Sequence, residues 1–453
     1  MVLSNISGFN LKMNFYLKII NQKHIRKIYM MSNIESLKFK LEKCTEFEYS
    51  IKFLESETPE TPKNEYGYNN LLNEFRNNID NIDNEIWKKI RWYINEYDFI
   101  VKYPIINRAF YKYWEMINEF NIFESYDNQS DIILHCAEAP GGFIQGTNIF
   151  LQIEKSNNTN NTTKNTPEVD EDGFIKYVGK KKSVKKPNYK IYTISLNKDL
   201  PKYKMFNLPS YNKIVLNKYV NLLYGSDSSG DINNSDNIDY IDSLTHSKKF
   251  YLITGDGGFD EGCDFNNKEQ LHYQLILNEI YTAIKLQQNT GNFVLKMFDI
   301  FTDTSLHLLY LLNLCYEDVY IYKPVTSRPT NSEKYIICKN FCLSEETREL
   351  FLEKLKELSI KYNQKSWTGT GNSKPLCSSF LLFKNIPEQF IQNIKCINTK
   401  LLNRQCHFLK KAIELCNDND FLKNYEIEYT KSTEYRKEIF KKWLDYYNLH
   451  SYI

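Results

Sequence analysis

Between residues 130 and 340, short apolar runs alternate with segments of helical periodicity. This alternation restricts the chain to a mostly parallel sheet covered by helices on both faces. The runs are 132–136, 191–196, 250–253, 293–298, 319–323 and 335–338, each of strand length and bounded by turn residues or a helical pattern. Helical patterns at 268–288 and 305–315 separate the middle runs. The connection between the last two is too short for a helical crossover, so they are expected to pair antiparallel as a hairpin at one end of the sheet. The predicted class is α/β.

The flanks read differently. Residues 68–97 place Leu72, Phe75, Ile79, Ile82, Ile86 and Ile90 on one helical stripe, and a second helix is expected over 107–120. Residues 1–60 read as a weakly structured leader. Their first thirty residues mix basic and apolar side chains as a targeting peptide does, but lack a small-residue cleavage site, and Met30-Met31 offers another start. Residues 155–188 combine a polar tract with the lysine run GKKKSVKKP and are expected to form a flexible inserted loop. A solvated charge run is the plainer reading of those lysines than an RNA contact. From Ser344, a plausible N-cap, helical patterns continue near 345–362, 386–415 and 431–447. The expected division is a leader (1–60), a helical segment (61–104), a catalytic domain (105–342) and a helical C-terminal lobe (343–453).

Composition mainly excludes. The net charge of +2 points to no partner by itself, since a nucleic-acid protein need be basic along one groove only. The ten cysteines include no pair with zinc spacing, so no metal is expected. The longest apolar stretch, 308–315, is far short of a membrane span. A cytoplasmic or nuclear, non-secreted protein is expected.

Two features demand chemistry. The first run ends in Ala137-Glu138-Ala139-Pro140-Gly141-Gly142-Phe143. Glycines at the C-terminal end of a strand in a doubly wound sheet let a ligand approach the backbone closely. The absence of Gly-x-Gly-x-x-Gly argues against a dinucleotide and leaves a nucleoside or amino-acid ligand. The second feature is Lys296, which interrupts the apolar run FVLKMF, with Asp256 at the end of another run. Charged groups at such positions are costly unless paired or opened into a cleft. An Asp256–Lys296 structural pair is the plain alternative to a catalytic one.

The glycine turn resembles the cofactor loop of the FtsJ-like (Rossmann-fold) RNA methyltransferases. Asp256-Gly257-Gly258-Phe259, the lysine strand 291–299, the segment Lys323-Pro324 through Ser327-Arg328-Pro329 to Ser332-Glu333-x-Tyr335, and the helix start Asn107-Arg108-Ala109-x-x-Lys112 follow in the family's order. Together they are most similar to the cap-specific mRNA 2′-O-methyltransferases of eukaryotes and large DNA viruses. The resemblance implies a Rossmann-like sheet with helical additions, S-adenosyl-L-methionine as cofactor, and capped RNA as substrate within a capping or transcription machinery. It implies a catalytic set of Lys112, Asp256, Lys296 and Glu333.

A ribose hydroxyl is a poor nucleophile, so an enzyme must accept its proton and hold oxygen, methyl and sulfur in line. Lys296 is the expected base, with Lys112 lowering its pKa and holding the ribose oxygen, Asp256 orienting Lys296, and Glu333 orienting the lysine pair. Ala139, Pro140, Gly141, Gly142, Phe143, Asp231 and Asp256 are the expected cofactor contacts. Ser327, Arg328 and Ser332 are the expected RNA contacts. Glu138 and Ala139 depart from the usual loop, and no ribose-binding acid is assigned. A ribosomal- or transfer-RNA methyltransferase and a non-catalytic RNA-binding subunit stay open as alternatives.

Overall fold

A computed structural model describes residues 35, 37–56, 58–97, 105–127, 130–159, 167–169, 175–177, 190–206, 208–217, 219–258, 266–365 and 377–449. The chain begins with strands β1 (Lys38–Leu41) and β2 (Tyr49–Ser56), then helices α1 (Leu71–Asp80), α2 (Asn84–Tyr93) and α3 (Ala109–Glu119). β3 (Ile132–Cys136) leads into α4 (Gly142–Thr159), followed by β4 (Pro167–Val169), β5 (Ile175–Tyr177), β6 (Lys190–Ile194) and β7 (Val220–Leu223). Then come α5 (Ser235–Leu244), β8 (Phe250–Gly255), α6 (Lys268–Leu271), α7 (Tyr273–Leu286), β9 (Gln287–Met297) and α8 (Asp303–Cys315). The chain continues through β10 (Tyr316–Tyr322), β11 (Lys334–Phe341), α9 (Glu345–Lys365) and β12 (Cys377–Phe383). It closes with α10 (Glu388–Cys416), α11 (Asn419–Lys423) and α12 (Tyr425–Tyr446).

Eight strands form one sheet in the order β1-β10-β11-β9-β8-β3-β6-β7. β7, β6, β3, β8 and β9 run parallel, while β11 is antiparallel to both β9 and β10. The expected α/β sheet with a terminal antiparallel hairpin is therefore present. Two details differ. The return strand β11 slots between β9 and β10, and β1 covers the edge beyond the hairpin.

Alternate residues of the central strands serve opposite layers, as a period of two requires. Ile253, Leu295 and Ile336 face the core that holds Ile280 of α7 and Leu309 of α8. Leu252, Val294 and Ile337 face the one that holds Phe110 of α3, Phe143 of α4 and Trp443 of α12. The C-terminal helix thus shares a core with the helix that carries Lys112.

Three readings need correction. The segment 1–60 contains two paired strands, and Lys43 donates to the carbonyls of Asn313, Leu314 and Tyr316 at 2.8–2.9 Å, capping the C-terminus of α8. The helical stripe over 68–97 is two helices, because the Asp83 side chain accepts from the Glu85 and Ile86 amides and starts a new one. The C-terminal helical lobe contains β12, which pairs antiparallel with β2 far away in sequence. Of the insertion 155–188, only the start and the β4–β5 pair lie within the described residues, and residues 1–34 lie outside them.

Candidate active site

The chain leaves β3 for β6 on one side and returns to β8 on the other, so the strand order reverses at β3. That crevice, at the C-terminal strand ends, is where doubly wound sheets bind ligands. The Ala137–Gly142 turn and Asp256 both open there, since Asp256 directly follows β8 and its amide donates to Cys136 O at 3.3 Å.

Strand register assembles the rest. β8 and β9 align Gly255 with Leu295, which carries Asp256 beside Lys296. β9 and β11 align Lys296 with Tyr335, which leaves Glu333 just past the strand end. Lys296 Nζ lies 3.3 Å from Asp256 Oδ1 and donates to Asp256 O at 2.8 Å. Lys112 Nζ, from α3, lies 2.7 Å from Glu333 Oε1. The four side chains are only 11–15% exposed, so they share one desolvated cleft. The expected tetrad therefore comes together from four separate elements.

Further groups surround it. Tyr335 donates its hydroxyl to Asp256 Oδ1 at 3.0 Å, and Ser327 donates to Glu333 Oε1 at 3.2 Å. Glu279 of α7 accepts from the Gly257 amide at 3.1 Å, and burial pushes its carboxyl up to about 8. Glu333 is held well below the usual carboxylate range: burial opposes this, but Lys112, Lys296 and Lys323 prevail.

Lys296 departs from expectation. Burial lowers its pKa, but Asp256, Glu333 and Glu279 together outweigh burial and raise it. The carboxylates thus favour the charged form of Lys296. Proximity of opposite charge wins here over desolvation.

The glycine turn was read as a cofactor cradle, and its parts divide. Ala139 and Pro140 are partly open, and Gly141 adopts φ +114 with Val215 closing over it. A Cβ on Gly142 would strike Asn107 and meet Phe110 N at 2.9 Å, so this glycine lets α4 pack on α3. The Phe143 ring is fully buried and stacked on Tyr113 at 4.5 Å. Glu138 accepts from the Phe143 amide at 2.7 Å and from Ile144 at 3.5 Å. The first amides of α4, which a bound phosphate would need, are thus already used. The crevice suits a ligand without a pyrophosphate, as S-adenosylmethionine is.

Asp231 lies in the loop after β7, across the turn from Asp256, where it accepts from Tyr203 at 3.2 Å and from the Asn233 amide at 3.0 Å. Ser327 and Ser332 are buried, and Ser327 donates within the loop to Asn331 at 3.4 Å, while Ser332 lines a small cavity beside Lys323 and Asn331. Arg328 is half-buried and its Nε lacks a partner; it shares a cationic patch with Arg91 and Arg108. Phe259 lies outside the described residues. Among the described residues no cluster of His, Cys, Asp or Glu suits a metal ion, and no helix is long and apolar enough to cross a membrane.

Glu279 and Tyr335 were missed as site residues. Glu279 sits among apolar residues of a helical pattern, and Tyr335 reads as core; only the tertiary arrangement turns them toward Lys296 and Asp256.

The FtsJ-like methyltransferase family model matches residues 105–341, and the chain belongs to that family. Membership implies use of S-adenosylmethionine. Over 145 residues the chain is 38% identical to cap-specific mRNA (nucleoside-2′-O-)-methyltransferase 1 of Mus musculus, covering 31% of this chain and 17% of that one. It is 34% identical over 194 residues to the 1A enzyme of Caenorhabditis briggsae, covering 42% and 22%. A third relative, 32% identical over 194 residues with the same coverage of each chain, is named an inactive 1B form from the same organism. The chain spans about a fifth of the length of these relatives.

One prediction follows from the turn. Gly141→Ala places a Cβ 2.6 Å from Val215 Cγ2 at a φ that L residues avoid, a strain of about 1–3 kcal/mol. Relief of that strain is expected to displace the turn, so S-adenosylmethionine binding measured by calorimetry should weaken, by about tenfold for each ~1.4 kcal/mol that the bound form must spend restoring it. Unchanged affinity would remove this turn from the cofactor site.

Proposed function

We propose that the protein transfers the methyl group of S-adenosylmethionine to a ribose 2′-hydroxyl of RNA, at a cap-proximal nucleotide of mRNA. The observation that carries this reading is the buried pairing of Lys296 with Asp256 and Lys112 with Glu333 beside the crevice at β3. The likeness to cap-specific relatives supports the choice of capped RNA. Bound S-adenosylmethionine supplies the transferable methyl and a sulfonium cation.

The chain's own residues do the rest. Ala139, Pro140, Gly141 and Asp231 are the cofactor contacts in this reading, with Asp256 at its methyl end. Lys112 holds the ribose oxygen and Glu333 fixes Lys112. Asp256, itself held by Tyr335, aims Lys296 at the same oxygen. Lys296 accepts the hydroxyl proton as a free amine, which requires positive charge in the site to offset its carboxylates. Arg328, with Arg91 and Arg108 beside it, offers a patch for RNA phosphates. A cytoplasmic or nuclear location and partners in a capping machinery accompany this reading.

The test is methylation of matched capped and uncapped transcripts, followed by nuclease mapping of the modified ribose. Label on the cap-proximal ribose of the capped transcript alone is expected. Equal labelling of both would favour a ribosomal- or transfer-RNA enzyme. No labelling, with no cofactor binding by calorimetry, would favour a non-catalytic subunit, a role consistent with the inactive relative.

A further inference from the structure

Three residues of α3 spaced at i, i+4 and i+7 fall on one helical face: Arg108 at its N-cap, Lys112 and Glu115. All three grip the loop 323–333 between β10 and β11. Arg108 donates to Thr326 O at 2.8 Å, and Lys112 pairs with Glu333. Glu115 is fully buried and gathers donors from three directions. Its Oε2 accepts from the Val325 amide at 2.8 Å and from Tyr322 at 2.9 Å. Its Oε1 accepts from the Thr326 amide at 2.9 Å, from the Thr326 hydroxyl, and from Trp443 Nε1 of α12 at 3.2 Å.

A buried carboxylate is expensive, and five donors are more than a helix surface needs. Both loop amides that Glu115 holds lie at the entry to the segment ending in Glu333. Lys323 fixes the other end, donating to Asn331 O at 2.8 Å and Glu333 O at 2.7 Å. The helix supplying Lys112 and the loop supplying Glu333 thus meet through a second, deeper tie one turn from the catalytic pair. Burial pushes the Glu115 carboxyl up to about 7, and the donors of Thr326, Tyr322 and Val325 pull against it.

We propose that Glu115 is a positioning residue for methyl transfer, setting the register between α3 and the loop 323–333 so that Lys112 meets Glu333. It also makes the C-terminal helix α12 part of the catalytic assembly, through Trp443. This inference rests on the methyltransferase reading above.

The test compares Glu115→Gln with the parent, each alone and in a Lys112→Ala background. Gln keeps the volume but sets an amide against the Val325 or Thr326 N–H. A misplacement of that kind is expected to lower kcat by about ten- to a hundredfold, with the KM for RNA and the affinity for S-adenosylmethionine unchanged. In the Lys112→Ala background the same change should cost nothing further, because the two act as one unit. Equal losses in both backgrounds, or kcat within twofold of the parent, would overturn the proposal.

If Glu115→Gln does not fold, Thr326→Val removes one donor and should show a smaller loss with the same dependence on Lys112. A readout without turnover is the carbon-13 resonance of Lys112 after reductive methylation. It is expected to move toward that of solvated lysines in Glu115→Gln, and a resonance unmoved would also refute the proposal. A parent protein that methylates no RNA counts against the functional reading instead, and the Lys112 resonance still decides this one.

Discussion

Replacing Lys296 with alanine is expected to lower kcat by about 10²–10⁴-fold, the usual worth of a positioned proton acceptor. The side chain lies on the central strand β9, 3.3 Å from Asp256 and largely shielded from water. Cofactor affinity should change little, because the glycine turn and Asp231 lie across the crevice. Single-turnover methylation with saturating cofactor is the measurement, and near-parental rates would remove Lys296 from the chemistry. The direction of its pKa adds a second expectation. Asp256 and Glu333, ionised at neutral pH, favour the ammonium form of Lys296 against its burial, so the free amine is scarce there. If the free amine is the active form, kcat/KM should rise with pH across the neutral range, since that ratio reports the free enzyme. A flat profile would assign Lys296 to holding the oxygen and not to taking its proton.

Trp443→Ala is expected to destabilise the fold by about 3–5 kcal/mol, the range for emptying a buried aromatic site. Trp443 is fully buried, stacks with Phe440 at 5.7 Å, meets Tyr111 edge-on at 5.5 Å, and donates to Glu115. The substitution removes the ring and leaves Glu115 one donor short. A urea titration should show a lower midpoint with an unchanged slope. Loss within 0.5 kcal/mol, roughly the range for surface substitutions, would mean that α12 is an appendage. The full loss would mean that residues beyond the family match at 105–341 are needed to hold the helix that carries Lys112. The expected division into a catalytic domain and a separate C-terminal lobe is on this view too sharp.

What the sequence determined by itself are features whose cause is local. Runs such as 132–136 and 293–298 are apolar because they are buried on both faces, so they announce themselves as central strands of a parallel sheet. Lys296 and Asp256 stand out for the same reason, as charges where a strand interior should be apolar. Lys112 and Glu333 sit in ordinary contexts and were legible only through resemblance. Only the tertiary structure decided what depends on distant partners. β2 and β12 carry weak signals and become strands by pairing Tyr49 with Phe383 across most of the chain. Glu115 reads as one more polar residue of a helix until α3, β10 and α12 converge on it. The direction of the shift at Lys296 is not legible in the sequence, because it depends on how many carboxylates surround one ammonium in a water-poor cleft. That number is fixed by packing, and Coulomb interactions in such a medium reach across elements that sequence order keeps apart.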